Sequence, residues 1–259
     1  MPRLSVLIPT YNRHDYLEHA IRSVMKNWYK DWEIVVYDDG SEDDTKGMMI
    51  GKYRGDPRVR YVRNHVNRGI PFARNELLNL AKGDYCCWLD SDDRCNVNRL
   101  GMLVEVLDKF APPYVRTMTT TFAKWGDKSW LFPPLLVWHG GVSFATIAFR
   151  RKDAVQFCEK LVTGGEDMEW EAHMAAKLGR AMQIPLTLYC IARRTPYRMS
   201  MAYKDPKKVE SYKECQRITN ALRTKWTDAM AKKGYTKRPA AVPWAYISTY
   251  MEKWYGEYC

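Results

Sequence analysis

Short apolar runs alternate with stretches of helical periodicity over the first 110 residues, and this alternation constrains the fold more than any other feature of the sequence. The apolar runs lie at residues 4–8, 34–37, 60–63 and 85–89. Apolar residues recur at helical spacing at 16–25, 69–80 and 100–107, and Asp43-Asp44 suits the first turn of another helix. Strands that alternate with helices predict an α/β fold: a Rossmann-like, mostly parallel sheet flanked by helices.

The remainder of the chain is less regular. Its predicted elements are strands and loops at 114–122 and 142–149, and helices at 153–161 and 166–178. Gly179 is placed to cap the second of these helices. From Asp205 onward the chain is basic and is predicted to be a helical carboxyl-terminal extension.

The positive charge is concentrated at one end. The chain carries 41 basic and 30 acidic residues, a net charge of +11, and residues 180–259 hold 16 basic and 6 acidic residues, a net +10. Such a density indicates a polyanionic partner, either nucleic acid or an anionic membrane surface, with a merely solvated tail as the alternative.

The sequence also indicates a compartment. No apolar run approaches the roughly 18 to 20 residues that span a bilayer, and no export signal is recognisable. The seven cysteines include no CxxC pair, which favours reduced thiols over a zinc site. We therefore expect a cytoplasmic protein, soluble or peripheral at the membrane.

Acidic residues follow two of the predicted strands. Asp90-Ser91-Asp92 comes directly after residues 85–89, and in an extended segment its two carboxylates would point the same way and converge on one divalent cation. Asp39 follows residues 34–37, where a carboxylate can accept the imide N–H of uracil or thymine. The alternatives are a solvated acidic loop for the first cluster and a helix cap through Ser41 or Asp43 for the second.

A third acidic pair, Glu166-Asp167, opens a predicted helix after two glycines. By itself the pair fits a helix cap and first-turn acids, which the helix dipole favours. Together with four other segments, the pair instead indicates a functional site. The segments that occur in order are SVLIPTY (5–11), WEIVVYDDGS (32–41), ARN (73–75), GDYCCWLDSDD (83–93) and GED (165–167). This set strongly resembles the family 2 inverting glycosyltransferases, which have the GT-A fold.

The resemblance implies a nucleotide-sugar donor site. Tyr11 would stack on the nucleobase and Asp39 would read its imide edge, which suits a UDP or dTDP sugar. Arg74 would lie near the diphosphate, although pairing with Asp90 is its structural alternative. The full set of implied donor residues is Pro9, Thr10, Tyr11, Arg13, Asp39, Arg74, Asp90, Ser91 and Arg198.

The resemblance also implies the chemistry. Asp90 and Asp92 would hold Mn²⁺ or Mg²⁺ against the diphosphate, and Asp167 would be the general base that takes the acceptor proton. Many members carry a metal-binding histidine some thirty residues beyond the acid pair. Here Arg198 occupies that neighbourhood, and we expect it to neutralise the diphosphate directly.

The implied organisation has three parts: a nucleotide-sugar-binding half (1–110), an acceptor and catalytic half (111–203) and a basic helical extension (204–259). Two acceptors stay open, namely a hydroxyl on nucleic acid, such as a hydroxymethylated DNA base, and a lipid-linked or polysaccharide glycan. A catalytically silent nucleotide-sugar or nucleic-acid binding protein on the same fold is the other class considered. A nucleotidyltransferase is disfavoured because no Gly-rich loop follows the first strand.

Overall fold

A computed structural model of the chain describes residues 1–122, 143–192, 209–234, 240–243 and 245–247. Its strands are β1 (Leu4–Thr10), β2 (Trp32–Asp38), β3 (Val59–Arg63), β4 (Tyr85–Trp88), β5 (Arg94–Cys95), β6 (Tyr114–Phe122), β7 (Ala148–Arg150) and β8 (Met182–Ala192). Its α-helices are α1 (His14–Met25), α2 (Thr45–Tyr53), α3 (Ile70–Leu80), α4 (Arg99–Phe110), α5 (Glu166–Leu178) and α6 (Val209–Lys232).

The strands form one mostly parallel sheet in the order β3-β2-β1-β4-β7-β6-β8-β5. β1 pairs in parallel with both β2 and β4, and β2 pairs in parallel with β3. β7 runs antiparallel to β4 and β6, and β5 runs antiparallel to β8. The parallel α/β sheet predicted for the first 110 residues is confirmed, and its carboxyl edge carries the loops that follow β1, β2 and β4.

The core explains why the first strands read as continuous apolar runs. Every residue of β1 and β2 is buried, because helices cover both faces of a parallel sheet. An aromatic cluster lies under the junction of β4 and α5, where Trp88, Phe149, Phe157 and Trp170 have ring centroids 5.2–6.2 Å apart. A packed aromatic layer therefore supports this part of the carboxyl edge.

The helix predicted over residues 153–161 does not form. A short 3₁₀ turn covers Arg151–Asp153, and residues 154–161 contain no helix. Tertiary hydrogen bonds take the backbone groups that a helix would use: Phe157 N–H donates to Asn75 Oδ1 at 2.7 Å, and Asn75 Nδ2 donates back to the Phe157 carbonyl at 3.1 Å. The side chain of Asn75, on α3, thus holds this segment in a non-helical conformation.

The carboxyl-terminal part is joined to the rest of the domain. α6 packs along α5, and residues 240–243 run beside the start of β8, where Val242 N–H donates to the Gln183 carbonyl at 2.9 Å. Val242 and Ile247 are buried in the main core. Within the part of the chain that the structure describes, no helix is both long and apolar enough to cross a bilayer.

Candidate active site

The loops after β1 and β2 are tied to each other. Asp39 N–H donates to the Thr10 carbonyl at 3.0 Å, and Asn12 N–H donates to Ser41 Oγ at 2.9 Å. Tyr11, between them, leaves 40% of its surface exposed, while Pro9 and Thr10 are buried. The hydroxyl of Thr10 is buried and has no hydrogen-bond partner among the described residues. The predicted nucleotide-binding residues at the end of β1 and directly after it therefore lie together at the carboxyl edge.

Asp39 is 3% exposed and holds the loop that precedes α3. Its Oδ1 accepts the Arg68 N–H at 3.0 Å and its Oδ2 accepts the Gly69 N–H at 2.7 Å. Burial raises the pKa of Asp39, and these two backbone amides oppose the rise. A carboxylate has about four acceptor positions, so two amides leave capacity for a ligand.

Asp43, and not Asp39, takes the capping role that was considered as the alternative for this loop. Asp43 accepts the Thr45 N–H at 3.1 Å and the His14 N–H at 3.0 Å, so it joins the starts of α2 and α1. Asp38 is fully buried and accepts from Ser41 N–H and from the Tyr61 hydroxyl. Asp43 lies before α2, which begins at Thr45, and not in its first turn as the sequence indicated.

The acidic segment after β4 is a turn. Asp93 N–H donates to the Asp90 carbonyl at 3.0 Å, so the expectation of an extended strand end with alternating side chains is wrong. Asp90 and Asp92 are nevertheless neighbours. Burial raises the pKa of Asp90 most, Arg74 opposes the rise, and the charges of Asp92 and Asp167 add to it.

The two carboxylates have different surroundings. Arg13 Nη1 lies 2.5 Å from Asp92 Oδ2, and both side chains are nearly buried, whereas 34% of the Asp90 side chain is exposed. Among the described residues, no group of three or more His, Cys, Asp or Glu side chains is arranged to hold a metal. Two carboxylates do fit a hard cation that takes its other ligands from phosphate and water.

Arg74 connects the predicted donor loop, which is the turn of residues 90–93 after β4, to the acid pair. Its Nη1 lies 3.1 Å from Glu166 Oε1 and its Nη2 lies 3.7 Å from Asp90 Oδ1. The guanidinium is buried and its carbon lies 4.6 Å from the centroid of the Phe144 ring. The pairing with Asp90 that the sequence left as an alternative is thus present.

The acid pair opens α5 after Gly164 and Gly165, both with positive φ. Glu166 is buried, and burial raises its pKa while Arg74 opposes the rise. Asp167 is half-buried beside Asp90, and its Oδ1 accepts the Met168 N–H at 2.7 Å. Asp167 is therefore the member of the pair whose carboxylate is accessible to a ligand, whereas Glu166 is committed to Arg74.

Two supporting residues were missed from the sequence. Asp90 N–H donates to the Tyr189 hydroxyl at 3.0 Å, and the fully buried Arg99 donates to the carbonyls of Trp88 and Ala145 at 3.0 and 2.9 Å. Both fix the end of β4, and nothing in local sequence indicates that β8 passes beneath this turn. Arg198 lies outside the described residues.

Comparison with known proteins identifies the family. The model for glycosyl transferase family 2 matches residues 5–158. A β-1,3-glucosyltransferase of Campylobacter jejuni that acts on GalNAc(5)-diNAcBac-PP-undecaprenol is 39% identical over 106 residues, which are 40% of this chain and 34% of that protein. The Escherichia coli β-1,3-glucosyltransferase WfgD, named for UDP-Glc and α-D-GlcNAc-diphosphoundecaprenol, is 34% identical over 106 residues, 41% of each chain. The chain thus spans well under half the length of these relatives.

Solved structures show the fold. Residues 1–349 of Staphylococcus aureus TarS, in complex with UDP-GlcNAc, superpose with a TM-score of 0.70 at 21% identity, covering 90% of this chain and 71% of that one. The mannosyltransferase PcManGT of Pyrobaculum calidifontis, in complex with GDP-Man and Mn²⁺, gives a TM-score of 0.59 at 18% identity, covering 89% and 73%. The expected GT-A fold is confirmed, and the chain belongs to glycosyl transferase family 2.

Proposed function

We propose that the chain is a metal-dependent inverting glycosyltransferase that moves a sugar from a UDP-type, or dTDP, nucleotide sugar to a hydroxyl of a lipid-linked or polysaccharide glycan. One observation supports the proposal most: Arg74 bridges Asp90, in the turn after β4, and Glu166, and the charge of the adjacent Asp167 acts on Asp90. A donor held after β4 would then have a carboxylate beside its sugar.

The nucleoside would lie on the loops after β1 and β2, against Pro9. The exposed ring of Tyr11 offers a stacking surface, and the free acceptor positions of Asp39 suit the imide N–H of uracil or thymine. The buried hydroxyl of Thr10 needs a partner that a bound nucleotide can supply. Ser91 and Arg198 complete the proposed contacts to the ribose and diphosphate.

Asp90 and Asp92 would hold Mn²⁺ or Mg²⁺, and a bound cation would neutralise the diphosphate as it leaves. The side chains of the protein prepare this site. Arg13 keeps Asp92 in place and supplies a second positive charge, since its guanidinium already lies against that carboxylate. A diphosphate entering here would therefore meet a guanidinium close to the two metal-binding carboxylates.

Asp167 would act as the general base. Its carboxylate would take the proton of the acceptor hydroxyl while that oxygen forms a bond to the anomeric carbon. The bond between the anomeric carbon and the diphosphate oxygen breaks, and its electron pair leaves with the diphosphate. Attack from the face opposite the nucleotide inverts the anomeric configuration.

The choice of a glycan acceptor rests on the relatives. Two of them are named for undecaprenyl-diphosphate acceptors, and they match 40% and 41% of this chain. The positive charge of residues 180–259, which suggested nucleic acid, also suits an anionic membrane surface. A protein that acts on a lipid-linked acceptor would bind that surface as a peripheral enzyme. A hydroxymethylated DNA base, and a binding protein without activity, are retained as outcomes of the test.

The test is a transfer screen with Mn²⁺, UDP-, dTDP- and GDP-sugars, and three acceptors: a diphospholipid-linked sugar, a polysaccharide and hydroxymethylated DNA. We expect turnover with a UDP- or dTDP-sugar on a glycan acceptor, and loss of about a hundredfold or more in Asp167→Asn with donor affinity retained. Asp228→Asn, an exposed acid of α6, is the matched control. Donor binding without turnover on any acceptor would overturn the proposal.

A further inference from the structure

The basic carboxyl-terminal helix contacts the turn that carries the proposed base. We infer that α6 positions Asp167 by holding residues 160–165, so that the residues of α6 at this contact act as positioning residues for catalysis. The inference rests on the proposed function, in which Asp167 takes the acceptor proton. It gives α6 a role that its charge alone does not suggest.

The turn approaches α6 so closely at Gly165 that only glycine fits there. Gly165 has a φ of +89°, and a Cβ at this position would lie 2.1 Å from Thr219 Oγ1 of α6. Thr219 is 2% exposed, and its hydroxyl donates to the Cys215 carbonyl at 2.8 Å, so its side chain is held in place. The helix therefore presses directly on the backbone two residues before Asp167.

Hydrogen bonds attach the preceding residues of the turn to α6. Thr163 Oγ1 donates to Cys215 Sγ at 3.1 Å and lies 3.3 Å from Ser211 Oγ. Cys215 Sγ lies 3.5 Å from the Lys160 carbonyl, to which it donates. The segment from 160 to 165 is thus bound to one face of the helix.

Further contacts fix α5 along its length. The Trp226 ring stacks on His173 with centroids 4.0 Å apart and planes 4° from parallel, and its Nε1 donates to Glu169 Oε1 at 3.0 Å. At the other end, Lys233 Nζ donates to the Ala176 carbonyl at 2.8 Å. α6 therefore sets the position of α5 as well as that of the turn before it.

The turn needs such support because its own backbone does not define it. Gly164 and Gly165 are consecutive and both have positive φ, and glycine restricts the chain less than any other residue. A displacement of the base by about 1 Å can cost on the order of 100-fold in rate. Two of the proposed nucleotide residues have contacts that do not involve α6, since Asp39 accepts the Arg68 and Gly69 amides and Asp92 pairs with Arg13. The turn is linked to Asp90 through Glu166 and Arg74, so nucleotide affinity should depend on α6 less than kcat does.

The experiment enlarges the side chain that presses on the turn. Thr219→Leu should lower kcat by about tenfold or more and leave the Kd for UDP with Mn²⁺ within about twofold, because it displaces the turn next to the base while Asp39 and Asp92 keep their own contacts. Asn220→Leu introduces the same side chain at the next residue, on the exposed face of α6, and should leave kcat unchanged. A folded Thr219→Leu with the parent's kcat, or a loss explained by weaker UDP binding, would overturn the inference.

A second set of variants, at Trp226 and Thr227, tests the inference if Thr219→Leu does not fold. Trp226→Ala should lower kcat, Trp226→Phe should recover most of it by restoring the stack on His173, and Thr227→Ala is the exposed control. Parent-like kcat in Trp226→Ala would also reject a positioning role. Asp167→Asn, assayed alongside, separates the two proposals: if it keeps turnover, the assignment of the base fails. If it loses turnover while the α6 variants keep it, only the role of α6 fails.

Discussion

Arg13 Nη1 lies 2.5 Å from Asp92 Oδ2, so the arginine expected at the diphosphate and the aspartate expected at the cation are bound to each other. Both side chains are nearly buried, at 11% and 12% exposure, which makes the pair costly to break without replacement. A cation would replace Arg13 as the partner of Asp92, and a diphosphate would replace Asp92 as the partner of Arg13. We therefore expect the metal and the nucleotide to bind cooperatively.

Arg13→Gln tests this relationship. Mn²⁺ alone should bind the variant more tightly than the parent, because the guanidinium no longer competes for Asp92. UDP in the presence of Mn²⁺ should bind more weakly by about 1.5–3 kcal/mol, the scale of a charge-assisted hydrogen bond. Asp92→Asn should lose Mn²⁺-dependent UDP binding, and Glu42→Gln, an exposed acid of the next loop, should not. Isothermal titration measures all three, and parent-like Mn²⁺ binding by Asp92→Asn would contradict the assignment of the metal site.

Arg74→Met tests the bridge between the donor loop and α5. The variant leaves Glu166 buried without its cationic partner, so the free energy of unfolding should fall by about 3–5 kcal/mol. Arg74→Met with Glu166→Leu removes both charges and should recover most of that loss. Arg22→Met breaks a partly exposed pair with Glu18, which keeps its shorter pair with Lys52, and should cost no more than about 1 kcal/mol. Urea unfolding gives these values, and equal losses in Arg74→Met and Arg22→Met would contradict a stabilising role for the bridge.

The first half of the fold was predictable because β1, β2 and β4 are buried along their whole length and its helices bury one face. Such burial produces continuous apolar runs in the strands and helical periodicity in the helices. The pairing of Arg13 with Asp92 was not, since 79 residues separate them and either arginine of the donor region has the right charge. β8 was missed because Pro185 interrupts its apolar run. The structure accommodates this residue where the β6–β8 register passes from Ile184 to Thr187.

Glu169 predicts a pH dependence for the packing of α5 on α6. Burial raises the pKa of Glu169 above its ordinary value of 4.5, and the hydrogen bond from Trp226 only partly opposes this. An acid whose pKa is raised by folding binds its proton more tightly in the folded state. Its contribution to stability is therefore greatest at low pH and is lost as pH rises from about 4.5 through the raised pKa.

Glu169→Gln should remove this contribution. The amide keeps an oxygen that can accept from Trp226 Nε1, and it carries no charge to desolvate. The difference in unfolding free energy between Glu169→Gln and the parent should grow in favour of the variant from pH 4.5 towards 7. The difference isolates this residue from the other buried acids. Denaturant unfolding across this range measures it, and a constant difference would show that Glu169 has an ordinary pKa.

The basic carboxyl-terminal residues should divide into structural and partner-binding sets. Residues 209–234 carry six basic and three acidic residues, whereas 193–208, outside the described residues, carry six and one. Lys233 is bound to carbonyls at the end of α5, so Lys233→Gln should lower the melting temperature, and Lys232→Gln should not. Replacing Arg193, Arg194, Lys207 and Lys208 by Gln should instead weaken sedimentation with anionic vesicles and leave melting unchanged. If DNA is the partner, gel shifts will show a log–log salt slope near −0.9 per neutralised phosphate that flattens in the quadruple variant, and vesicle binding will be absent.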